Sequence, residues 1–69
     1  MASLLRFFAH DHLPDRLASV SRPFAELAHD LAGRDDLDGP ELTVALRKLL
    51  ESKDAAVRAS LTAQAEEEA

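Results

Sequence analysis

The chain of 69 residues contains no cysteine, tryptophan or tyrosine, only two glycines, and no apolar run near the length a bilayer demands. Without cysteine there is no disulfide and no thiolate zinc site, and nothing points to an oxidising compartment. A membrane span needs roughly 20 consecutive apolar residues, and no stretch approaches that. The apolar start MASLLRFFA lacks the basic leader, long apolar core and cleavage site of a signal peptide. The expected location is therefore soluble and cytoplasmic, with no membrane partner. Strand alternation, internal repeats, a glycine-rich phosphate loop and a recognisable nucleophile are missing as well, which argues against an enzyme. A basic stripe of the kind that grips duplex DNA is also missing, so DNA is not an expected partner.

Domains shorter than roughly 70 to 80 residues rarely bury enough apolar area to be stable without a staple. With disulfides and thiolate metal sites excluded, the staple left is self-association. The formal charge of −5 is unevenly spread. Asp35, Asp36 and Asp38 share one loop and Glu66, Glu67 and Glu68 form the tail, leaving seven acids for eight Lys and Arg elsewhere. A small anion held by a few arginines is compatible with that body.

Leu17, Val20, Phe24, Leu27 and Leu31 recur at spacings of three and four, one apolar face of a helix. The first helical arm is placed at 13–33, with Pro14 near its start and Gly33 as its stop. Pro23 lies inside this pattern and removes a hydrogen bond. The expectation is a break there, with Ser19 or Ser21 capping a second, longer piece. The turn from Gly33 to Gly39 then joins antiparallel neighbours. Asp38-Gly39-Pro40-Glu41 resembles a capping box, and a second helix is expected over 39–66 with an acidic, solvated tail. Its apolar positions Leu46, Leu49, Leu50, Ala56, Val57 and Leu61 continue without Gly or Pro. The fold class is therefore all-α: an antiparallel two-helix hairpin with a short N-terminal helical segment, assembled as a homo-oligomer.

Several residues carry candidate chemistry beside plainer roles. His10-Asp11-His12 has histidines at i and i+2, which diverge on a helix, and no third ligand set, so no metal is expected. Phe7, Phe8 and His10 either pack the hairpin end or offer a platform on which a nucleobase stacks. Arg22 lies beside the expected helix start, where free N–H groups favour an anion; otherwise it pairs with Glu26 at i+4. Lys53 interrupts the apolar face and points toward an oligomer seam. Arg58 has small neighbours Ala55, Ala59 and Ser60, room enough for a bidentate grip on phosphate. Intersubunit salt bridges to Asp54 or Glu51 are the alternative for both.

The runs HDHLPDRLASVSRPFAELA and ALRKLLESKDAAVRASL, within a likeness extending from about Phe7 to Leu61, resemble the small helical-hairpin proteins of phages that sequester cyclic-nucleotide immune signals. These are the anti-CBASS sponges, with a related hairpin in anti-Thoeris sponges. The resemblance implies a compact homohexamer that binds its signal without cleaving it and needs no cofactor. It implies that cyclic dinucleotides lie between paired protomers, with His10, and Phe8 beside it, in the stacking role and Arg22 on the phosphates. It further implies that Arg58 meets cyclic trinucleotides on a three-fold axis. The stacking position holds histidine or a shifted phenylalanine where tyrosine is typical, and the basic partner is arginine where lysine is typical. Two rival readings stand beside the sponge: a structural or regulatory helical oligomer acting through protein–protein contacts, and a nucleotide-degrading enzyme.

Overall fold

The computed structural model describes residues 2–68. Helix α1 (Ala2–Leu5) leads into a 3-10 turn (Arg6–Phe8), followed by helix α2 (Asp15–Ala32) and helix α3 (Gly39–Glu68). No strand occurs among the described residues. The two long helices form the hairpin that the hydrophobic periodicity implies.

The first segment is short because nothing sustains it. Ala9 has ψ of 138°, and its N–H closes the 3-10 turn on the Arg6 carbonyl at 3.2 Å. A second turn, in which the Leu13 N–H donates to the His10 carbonyl at 3.1 Å, then reverses the chain. The reversal lays Phe8 back onto the hairpin, where it packs in one cluster with Ala25, Ala28, Leu42 and Leu46. Leu4 and Leu5 pack against the same cluster.

Helix α2 begins after Pro14, which is extended at ψ 151° and whose carbonyl accepts the first helical bond from the Ala18 N–H at 2.8 Å. Asp15 in the first turn suits the positive end of the helix dipole. The expected break at Pro23 does not occur: one helix runs through it. The proline ring and Ser19, whose carbonyl loses its N–H donor, both lie on the exposed side. Water can solvate that carbonyl there, so a proline whose cost is about 3 kcal/mol in a helix interior is tolerated.

Helix α2 ends without a left-handed residue. Gly33 is at φ −89° and ψ −2°, its N–H donates to the His29 carbonyl at 3.0 Å, and the Arg34 N–H closes on Leu31 at 3.3 Å. It is the other glycine whose conformational freedom is needed. Gly39 opens α3 at φ +81°, with nothing within 4 Å of where a Cβ would stand. That backbone state is strained for any side chain, which places the cap on Gly39 itself and Pro40 at the first fully helical position.

The buried line of α2 is Ser21, Ala25 and Ala28. It lies about 100° round the helix from Leu17, Val20, Phe24, Leu27 and Leu31, at 3.6 residues per turn. Small side chains thus face α3, against Leu42 and Leu46, and let the two helices approach closely. The large apolar residues lie toward the flank: Phe24 and Leu31 pack partly against the core cluster, none of the five is fully buried, and Leu27 is 46% exposed.

Helix α3 sets the longest dimension of a 47 × 19 × 16 Å molecule. The helix persists to Glu68, two residues beyond the expected end at 66. Arg16, at the start of α2, ties its far part down: Nε donates to the Ser60 hydroxyl at 3.3 Å and Nη1 to the Glu67 carboxylate at 3.2 Å.

Candidate functional site

An open groove of about 710 Å³ lies between the N-terminal segment and α2. The turn that seats Phe8 also places His10 at its wall, opposite Glu26, His29 and Asp30 of α2. Arg6 and Asp11 complete the charged lining, so acids and bases alternate there. The Asp11 carboxylate stands 3.8 Å from His10 Nε2, too far for a hydrogen bond. His10 Nδ1 is buried and has no partner among the described residues. A smaller hollow of about 240 Å³ at the hairpin turn is lined by Asp36, Asp38 and Glu41, which repel an anion. Among the described residues no group of three or more His, Asp or Glu is arranged to hold a metal ion.

Phe8 is the clearest correction to the residues selected from sequence. At 1% exposure it belongs to the core and presents no ring face to a ligand. Of the two adjacent phenylalanines it is Phe7 that lies open, at 51%, with the Arg6 guanidinium 5.0 Å from its ring centroid. Sequence could not choose between them, because adjacent residues in a 3-10 turn point about 120° apart and periodicity has no meaning over three residues.

Arg22 is also placed differently. Because α2 is continuous from Asp15, Arg22 sits mid-helix and has no free N–H groups beside it. An anion there is held by the guanidinium alone. The alternative pairing with Glu26 is not formed among the described residues, and Arg22 is exposed. Lys53 is 14% exposed and its Nζ bonds Asp54 Oδ1 at 2.8 Å, so its ion pair is closed within the chain. Arg58 is exposed; its carbonyl accepts the Thr62 hydroxyl at 3.1 Å, and its guanidinium has no ion pair among the described residues.

The pairing pattern sorts the cations. Arg16, Arg34, Lys48 and Lys53 each have a carboxylate partner, whereas Arg6, which lies over the Phe7 ring, and Arg22, Arg47 and Arg58 have none among the described residues. Arg47 was not singled out from sequence, although a signal was present: it precedes Arg58 by eleven residues, about three turns, and so shares its face of α3. The strongest of the pairs joins Arg34 to Asp36 through two bonds of 2.8 and 2.7 Å across the hairpin turn. That grip raises the Arg34 pKa and lowers that of Asp36.

Of the five residues selected from sequence, then, Phe8 and His10 border one groove, while Arg22, Lys53 and Arg58 lie outside it on the two long helices. No protein-family model matches this chain, and no curated protein or solved structure does either.

Proposed function

We propose that this chain is a non-enzymatic sponge, which binds cyclic oligonucleotides between copies of itself and withholds them from CBASS-type antiphage signalling. The observation that carries the reading is the set of uncommitted guanidiniums: Arg22 and Arg58 are exposed and have no carboxylate partner among the described residues, although acids outnumber bases in the chain. A planar guanidinium left free in an acidic protein suits a phosphate bidentately. The resemblance of ALRKLLESKDAAVRASL to the sponge hairpins supplies the ligand class. A hairpin only 19 and 16 Å across its short axes has no interior in which to enclose a nucleotide, so the pocket belongs between protomers. With Phe8 committed to the core, the rings of this group left to stack on a base are His10 at the groove wall, its side chain 24% exposed, and Phe7, 51% exposed.

Isothermal titration with a panel of cyclic di- and trinucleotides, followed by chromatography of ligand released by heat, tests the reading. Saturable binding with intact ligand recovered is expected, together with at least a tenfold loss of affinity in Arg58→Ala or Arg22→Ala, about 1.4 kcal/mol or more. Absence of heat from every ligand overturns the sponge, and linear product accumulating with time points to an enzyme. A second reading, a helical oligomer that acts through protein–protein contacts, is favoured by the half-open apolar flank of α2.

A further inference from the structure

The flank of α2 has more order than a scattered apolar surface. Leu17, Phe24 and Leu31 are seven residues apart, and Val20 and Leu27 fall between them, which is the a and d pattern of a coiled-coil seam. In that frame the e positions are Ser21 and Ala28, both already buried against the rest of the chain. The g positions are Arg16, Pro23 and Asp30, all exposed. One edge of the seam, with part of Phe24 and Leu31, is thus closed by the hairpin itself, and the open edge carries a cation and an anion placed symmetrically about an uncharged proline.

That symmetry identifies the occupant. In an antiparallel pair of helices g positions meet g positions, so a second copy of α2 turned by a two-fold axis brings Arg16 of each copy to Asp30 of the other. The same register sets Phe24 against Val20 of the second copy, Leu17 against its Leu27, and the two Pro23 rings near the axis. A parallel pair would put g against e, offering Arg16 only a serine or an alanine that is already buried. Arg16 has capacity for the added contact: its guanidinium group has five N–H donors, of which the bonds to Ser60 and Glu67 use two. Asp30 forms no ion pair among the described residues. A patch that complements itself under a two-fold rotation is what an isologous dimer requires.

We infer that α2 is the interface of a two-fold dimer, formed by antiparallel packing of Leu17, Val20, Phe24 and Leu27 on the same residues of a second copy, with Arg16 and Asp30 paired across it. The inference shares with the sponge reading only the need for more than one copy. Its test reads mass and cross-linking with no nucleotide present, so either idea can fail alone.

The full chain has no cysteine, which makes a single introduced thiol specific. Pro23→Cys is expected to cross-link to a dimer under mild oxidation at least tenfold faster than Glu26→Cys, whose thiol lies on the far side of the helix. In sedimentation equilibrium, Leu27→Asp is expected to halve the mass of the smallest stable species while far-ultraviolet circular dichroism stays helical. Arg16→Glu and Asp30→Arg are each expected to weaken association tenfold or more, and the double reversal to restore it. Because Arg16→Glu also loses Glu67 within the chain, Asp30→Arg and the rescue carry the charge test. Equal cross-linking at the two positions overturns the assignment. So does a mass unchanged by Leu27→Asp but lowered by Leu61→Asp on α3, or a monomeric parent chain.

Discussion

Ser21 carries a hydroxyl that is 1% exposed and has no hydrogen-bond partner among the described residues. It continues the buried line of small side chains, Ala25 and Ala28, on α2, and serine meets that size at the cost of an unsatisfied polar atom. Leaving a hydroxyl unpaired costs roughly 1 to 3 kcal/mol, so Ser21→Ala is expected to stabilise the chain by about 1 kcal/mol in urea unfolding. Ser21→Val is expected to destabilise it by overpacking. Asp36 is the contrasting case, an exposed carboxylate fully satisfied by Arg34. The pair holds the Asp36 pKa below its ordinary 3.8. A group depressed in this way stabilises the fold above its unfolded pKa, and the contribution is lost as pH falls through the folded one. Nuclear magnetic resonance titration is expected to place the Asp36 midpoint below 3.8 and to return it toward that value in Arg34→Ala.

At the scale of elements, α2 is the one held against its own propensity. Pro23 takes away a backbone bond and the helix continues because Ser21, Ala25 and Ala28 are gripped on the other side. Propensity is a weak prior that packing routinely overrides. Pro23→Ala is expected to raise stability by about 1 to 3 kcal/mol, seen as a higher melting temperature with helix content unchanged or slightly greater. If the melting temperature instead falls, the ring itself is contributing contacts on the α2 flank. Helix α3 needs no such support, because after Gly39 and Pro40 it has no breaker at all. The periodicity of its leucines made it legible, and so did the turn before it. The helix runs to Glu68, two residues past the expected end, and Glu66 and Glu67 are exposed; the run of glutamates could not show in one dimension that the fold brings Arg16 within 3.2 Å of Glu67.

Among the described residues, five apolar ones are buried in the core and five large ones, Phe7, Leu27, Leu37, Val44 and Leu61, are well exposed. That ratio is unfavourable for a lone chain of this size and favourable for an assembly. Melting temperature is therefore expected to rise with protein concentration across the micromolar range, since association stabilises by mass action. A concentration-independent midpoint would mean that the hairpin is sufficient alone.

Sequence by itself determined the all-α class, the hairpin and its turn, because those depend on 3.6-residue periodicity and on local glycine and proline chemistry. It also marked Arg58 as an arginine with small neighbours, since neighbouring side-chain size is a local property. Tertiary structure alone decided which phenylalanine is core, which line of α2 faces α3, that Lys53 is spent on Asp54, and that Arg22 is mid-helix. Each of these depends on a rotation about the helix axis or on an approach between distant segments. A difference of about 100° in which face turns inward leaves the pattern of residues along the chain unchanged.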